Sequence, residues 1–224
     1  MALKVAVIGA NGRVGQLLCK LLKTSDDFEP LAVVRTAEQK EYFERELGIE
    51  ASLTSIEESS VDEIGAALRS QDAVVWTAGA GGKGVERIFT VDLDGAMKAI
   101  EACQKCKIDR FVMVSAVNAN NREMFWNTKL RNYYIAKRTA DAILRGSGLQ
   151  YTILQPGSLL SESGTGQLCP LGALEDKKSA WYAIQREDVA QFIKLALEHP
   201  ERTIHKTIPL ANGDMSMRDF LATL

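Results

Sequence analysis

The sequence predicts a doubly wound α/β domain built on one parallel sheet. Three observations carry that expectation: strand-sized apolar runs alternate with helical patterns along the whole chain, the runs are continuously apolar, and a glycine-rich turn follows the first of them. Continuous apolarity belongs to strands covered on both faces, and each run is followed by enough chain for a crossover helix. A length of 224 residues fits a single large domain, 1–224, and is too short for two full-sized ones with a linker.

The predicted strands are Val5–Ile8, Leu31–Val34, Ala73–Trp76, Phe111–Val114, Tyr151–Leu154 and Thr207–Leu210, with a weaker one at Ile49–Leu53 after the helix-stopping Gly48. A helix is expected from the glycine turn to about Lys23. A long one is expected over Gly84–Cys106, its buried face formed by Val85, Ile88, Phe89, Val91, Leu93, Met97, Ile100 and Ala102. Another runs over Arg131–Arg145 and stops at Gly146-Ser147-Gly148. Segment 155–183 carries Pro156, Gly157, Gly164, Gly166, Pro170 and Gly172 without a sustained period, so it reads as a substrate loop or lid.

Composition excludes several classes of function. The chain is 46% hydrophobic and 25% charged, ordinary for a globular protein, and 27 basic against 29 acidic residues give a net charge of −2. That balance offers no field to attract nucleic acid or an anionic membrane. No apolar stretch approaches the roughly 18 residues of a membrane span, and a strand begins at Leu3 where a leader would lie, so the expected compartment is the cytoplasm. Cys19, Cys103, Cys106 and Cys169 are too few and too irregular for a disulfide framework. Cys103-x-x-Cys106 lies in a predicted helix with no second pair, so no metal site is expected.

Gly9-Ala10-Asn11-Gly12-Arg13-Val14-Gly15 sits between the first strand and its helix, the context in which a dinucleotide pyrophosphate meets a helix N-terminus. The first glycine permits the tight turn, the second lets phosphate approach the backbone, and the third lets helix pack on strand. The second strand ends Val33-Val34-Arg35-Thr36, without the acid that bonds the ribose hydroxyls of NAD. Arg35 pairs with a 2′-phosphate through charge-assisted hydrogen bonds and Arg13 adds a second cation, which favours NADP(H) over NAD(H). Ser52-Leu53 would flank the adenine, and Thr77, Ala78 and Gly79 with the small residues after them would lie against the cofactor ribose.

Tyr133 and Lys137 stand four apart on one helix face, so the ammonium can stabilise a phenolate that is otherwise a poor acid or base near neutrality. Ser115, ending the fifth strand, is placed to bond a substrate carbonyl beside them. Trp126, in the polar insertion 118–132, either roofs the site or anchors the loop.

The glycine turn, Ser115, the Tyr133/Lys137 pair and Tyr151-Thr152-Ile153-Leu154-Gln155-Pro156-Gly157 together resemble the atypical, NmrA-like NAD(P)H-binding group of short-chain dehydrogenase/reductase proteins, its small fungal members in particular. Arg186-Glu187-Asp188-Val189-Ala190 looks like that group's late helix start, so the resemblance spans Leu3 to Leu224. It implies a Rossmann sheet of order 3-2-1-4-5-6-7 with Tyr133 as proton donor, Lys137 as ribose ligand and Ser115 as the carbonyl-orienting hydroxyl. It also implies that Pro156-Gly157-Ser158 lies against the nicotinamide. Asp92 departs from the pattern, replacing an asparagine that orders a relay water in extended relatives; a carboxylate accepts from water but cannot donate. Three functions stay open on this resemblance: an NADP-dependent oxidoreductase or epimerase acting on a small carbonyl or hydroxyl compound, a regulatory protein that senses NADP without turnover, and a flavin- or biliverdin-type reductase. A homo-oligomer is equally open.

Overall fold

A computed structural model describes residues 1–176 and 182–224. Seven parallel strands form the central sheet: β1 (Leu3–Ile8), β2 (Phe28–Val34), β3 (Glu50–Leu53), β4 (Ala73–Trp76), β5 (Arg110–Val114), β6 (Gln150–Pro156) and β7 (Lys206–Leu210). Their spatial order is β7-β6-β5-β4-β1-β2-β3, the order 3-2-1-4-5-6-7 read from the other edge. Every neighbouring pair runs parallel, with Val5 opposite Pro30 on β2 and Ala73 on β4. Each predicted strand is present.

The continuous apolar runs have a direct packing consequence. On β1, Val5 and Val7 enter one core cluster with Leu18 and Leu22 of α1 (Arg13–Lys23) and Phe192 of α5 (Arg186–Glu198). Ala6 and Ile8, pointing the other way, join Ile64 of α2 (Val61–Leu68), Ile100 of α3 (Ala96–Cys106) and Leu144 of α4 (Arg131–Gly146). Alternate side chains feed opposite cores, so a strand buried on both faces must be apolar at every position. Ser60 and Glu63 close α2 with a reciprocal capping box.

The long helix expected over Gly84–Cys106 is not continuous α-helix. It opens as Val85–Arg87, becomes π-helix over Ile88–Gly95, and continues as α3. The wider π turn shifts the facing of every later residue relative to a 3.6-residue period. Phe89 and Met97, expected on the buried face, are therefore exposed, whereas Asp92 is turned fully inside; Val85, ahead of the π turn, is exposed as well. Segment 155–183 is also more ordered than expected. Short strands at Ser158–Leu160 and Ala183–Gln185 pair in parallel, Gln167–Leu168 pairs with Met215–Ser216, and a short helix covers Leu171–Asp176. Positions 177–181 of that predicted lid lie outside the described residues. Among the described residues no helix is long and apolar enough to cross a membrane.

Candidate functional site

At the carboxyl ends of β1, β2 and β4 lies a cleft of about 420 Å³, within the size range of small-molecule sites. The glycine turn forms one wall. Gly9 adopts φ +83°, and a Cβ there would stand 2.5 Å from the Ala78 nitrogen, so the loops leaving β1 and β4 touch. Thr77 Oγ1 donates to the Ile8 and Gly9 carbonyls and ties the same two loops. A Cβ at Gly15 would meet the Gly9 carbonyl at 2.5 Å, so this glycine serves helix-to-strand packing. Gly12 caps α1 with no side-chain bond and no acid in the first turn, leaving the helix's first N–H groups to an anion. Asn11, Gly12, Arg13 and Val14 line the cleft beside that end, and Thr77, Ala78 and Gly79 form its floor.

At the adenosine end, Arg35 lines the cleft as expected, but it is not free. Its Nη1 stands 3.4 Å from Glu57 Oε2, and the same oxygen is 2.9 Å from Arg87. Leu53 does not flank this end. β3 is the edge strand, and the Leu53 side chain falls outside the cleft at 52% exposure; Thr54, Ser55 and Ile56 line the wall instead.

Pro156, Gly157 and Ser158 are absent from the cleft lining, where Leu159 takes their place. Gly157 is small for another reason: a Cβ there would collide with the Tyr182 carbonyl, which itself accepts from Ser158 N at 2.6 Å. The late helix start is more active than its family likeness implied. Arg186 lines the cleft and donates to Ser161 Oγ at 3.0 Å, Glu187 accepts from Gly164 N, and buried Asp188 accepts from the amides of Thr165 and Gly166. Burial, and then the charge of Arg13, depress the pKa of Arg186, so two cations converge on the glycine turn.

Behind the floor lies a second, closed cluster. Lys137 and Asp92 form a buried ion pair at 3.0 Å, and the ammonium also donates to the Val114 carbonyl at 3.4 Å. Asp92 Oδ2 accepts from Ala80 N at 2.8 Å. One carboxylate thus joins the cleft floor to the lysine. The Lys137 ammonium lies 5.7 Å from the Tyr133 ring centroid. Burial alone would lower the Lys137 pKa, but Tyr133 and Asp92 outweigh it and hold the ammonium above its ordinary value. Burial raises the Tyr133 phenol, and the opposing charge of Lys137 does not reverse that shift. Asp92 and Asp141 add to that upward shift.

Ser115 is buried at the end of β5, and its Oγ has no well-formed hydrogen bond. It stands against Asp141, one turn beyond Lys137, whose carboxyl is raised by burial while Ser115 and Gln155 oppose the shift. Gln155 Nε2 donates to Asp141 at 2.9 Å. Ser115, Tyr133, Lys137 and Asp92 therefore converge, although none lines the open cleft. Trp126 is 44% exposed between the guanidinium groups of Arg122 and Arg131. Phe125 anchors the insertion, buried and stacked on Tyr134 at 5.1 Å. Cys103 is a buried thiol pushed up to about 12, unsuited to redox chemistry, and among the described residues no acid, Cys or His cluster could hold a metal ion.

Sequence reasoning missed Glu57, Arg87, Arg186 and Asp141. Only Asp141 carried a readable signal, its four-residue spacing from Lys137.

Comparison with known proteins agrees with this geometry. A family model described as NAD(P)H-binding matches residues 9–200. The UPF0659 protein of Saccharomyces cerevisiae is 57% identical over 224 residues, covering 99% of each chain. A Bacillus subtilis protein named an uncharacterised sugar epimerase is 44% identical over 223 residues, 99% of this chain and 100% of its own. A solved structure from Bacillus halodurans, provisionally assigned to the NAD-dependent epimerase/dehydratases, superposes with a TM-score of 0.89 at 35% identity over 100% of both chains.

Proposed function

The chain belongs to the NAD(P)H-binding family, and from that premise we propose that it is a cytoplasmic NADP-dependent oxidoreductase, or an epimerase working through bound cofactor, acting on a small carbonyl or hydroxyl compound. One observation carries the reading. Asp92 connects the floor of the cleft beside the glycine turn to a buried lysine beside a phenol, so the wall that would bind a dinucleotide and the groups that would move a proton are one unit.

The fit to a dinucleotide rests on unfilled polar groups. The first turn of α1 has no acid and no side-chain cap, and Arg87 Nε is buried without a partner. Asn11, Gly12 and Val14 would hold the pyrophosphate, Arg13 and Arg186 would neutralise it, and Arg35 would hold a 2′-phosphate. Bound nicotinamide supplies hydride chemistry. Tyr133, raised in pKa and therefore protonated, would give its proton to a substrate oxygen as that oxygen gains charge, and the Ser115 hydroxyl beside Asp141 would orient the oxygen. Lys137, charged and held by Asp92, would be the one nearby group that favours the phenolate left behind, against burial and the charges of Asp92 and Asp141.

The test is a nicotinamide fluorescence titration followed by turnover. NADPH binds more tightly than NADH, and Arg35→Asp removes the preference. Across a panel of small aldehydes, ketones and hydroxy compounds, cofactor turnover falls about hundredfold in Tyr133→Phe; equal rates in both proteins would disprove Tyr133 as the acid. The closed, ion-paired state of Lys137 favours a second reading, a regulatory protein that senses NADP without turnover. It predicts partner affinity that differs between NADP and NADPH, and equal affinity would remove it.

A further inference from the structure

An unforeseen acid stands at the adenosine end of the cleft. Glu57, in the loop after β3, has both carboxylate oxygens engaged: Oε2 by Arg87 at 2.9 Å and Arg35 at 3.4 Å, Oε1 by the Thr90 hydroxyl at 2.8 Å. Lys98 Nζ donates to the carbonyls of Glu57 and Ser59 and holds that loop in place. Arg35, Glu57 and Arg87 come from three different segments and all line the cleft. Together they carry one net positive charge.

Arg87 is the informative member. Its ion pair uses one side of the guanidinium, while Nε is buried and bonds to nothing. A buried N–H without an acceptor is costly and uncommon. Arg87 also lines the cleft, and a phosphate dianion suits a planar guanidinium better than a hydroxyl does.

We infer that Arg87 is a second seat for the cofactor's 2′-phosphate beside Arg35, and that Glu57, shared by both arginines, limits how strongly the site prefers the phosphorylated dinucleotide. This deepens the reading of the cleft as an NADP site and rests on it. A 2′-phosphate takes both guanidinium groups but must sit near the Glu57 carboxylate, which repels it. A free ribose 2′-hydroxyl meets no such penalty and can donate to Glu57 while the arginines stay paired. The same trio therefore admits the unphosphorylated cofactor and selects against it by less than two unopposed arginines would. Charge on one side chain sets the ratio.

The intact protein and its Arg87→Gln, Arg87→Lys and Glu57→Gln variants are titrated with NADPH and NADH by nicotinamide fluorescence, then with adenosine 2′,5′-bisphosphate and 5′-AMP, which probe this end alone. Arg87→Gln weakens NADPH and the bisphosphate about tenfold, the loss of one charge-assisted bond, with NADH and 5′-AMP within about twofold. Glu57→Gln raises the NADPH-to-NADH affinity ratio about tenfold. NADH binding reports the integrity of each variant; if Arg87→Gln does not fold, Arg87→Lys, which keeps the charge and loses the fork, must still lower the ratio. Unchanged ratios, or equal losses for both cofactors, overturn the inference. A wild-type protein that binds neither cofactor overturns the dinucleotide reading itself, whereas Arg35-dependent NADPH preference that ignores Arg87 and Glu57 sinks this inference alone.

Discussion

Lys137 is buried, charged and held by one carboxylate, so the free energy of the pair lies mostly in not breaking it. Removing one member of a buried ion pair strands the other, typically at a cost of about 3–5 kcal/mol. Asp92→Leu should lose about that much stability in urea unfolding near neutral pH. The folded Lys137 pKa is raised above the ordinary 10.5, so its contribution is complete below 10.5 and is lost as pH rises through the folded value. The gap between wild type and Asp92→Leu should therefore narrow in strong alkali; a constant gap would show that Asp92 acts through packing. Asp141 titrates with the same sign in a lower range. Burial raises its carboxyl, so the folded state holds the proton more tightly than the unfolded chain, and stability falls as pH climbs from the ordinary 3.8 through the folded value. Asp141→Asn removes that titration, and its urea midpoint should vary less with pH than that of wild type across the mildly acidic range. The nearness of Tyr133 and Lys137 was legible from their four-residue spacing; the role of Asp92 as the lysine's counter-ion was not, because it depends on which way one side chain faces.

That facing is set by an element. The π-helical stretch Ile88–Gly95 turns Asp92 inward and carries Phe89 out to solvent, a reversal that a search for a 3.6-residue period cannot anticipate. Strands were easier to read because burial on both faces demands apolar residues at every position, and all seven were visible. The region after β6 was legible only as irregular. Its order comes from contacts distant in sequence, in which the Arg186-Glu187-Asp188 triplet at the start of α5 grips residues 161–166. Asp188 is fully buried and takes two backbone amides and the Thr165 hydroxyl. Asp188→Ala leaves those donors unpaired and should destabilise by about 2–4 kcal/mol. Amide exchange should quicken first at Thr165 and Gly166, and exchange unchanged there would deny the triplet its role as anchor. Arg186 reaches the cleft from the same triplet, so cofactor charge and loop order share one support.

The cleft lies where the sheet reverses its winding: β1, β2 and β3 run toward one edge and β4, β5, β6 and β7 toward the other, leaving a crevice outside the ends of β1 and β4. That position was implied by the order of the strands alone, whereas the charges facing it, Glu57, Arg87 and Arg186, come from loops and helix starts that the strand pattern does not place. A ligand that binds only the folded chain stabilises all of it by mass action. NADPH at about a hundredfold excess over its Kd should add about 2.7 kcal/mol, raising Tm by about 5–10 °C in a domain of this size. Two glycine variants separate binding from folding. Gly12 has φ −70° and its added Cβ would stand 3.1 Å from the Gly9 carbonyl, so Gly12→Ala fits with a small adjustment and mainly crowds the pyrophosphate seat. Its ligand-free Tm should stay within about 2 °C of wild type, a surface-scale change, while the NADPH-induced rise disappears. Gly9→Ala forces a side chain into left-handed backbone against Ala78, so it should lower the ligand-free Tm itself. A full NADPH-induced rise in Gly12→Ala would place the pyrophosphate elsewhere on the molecule.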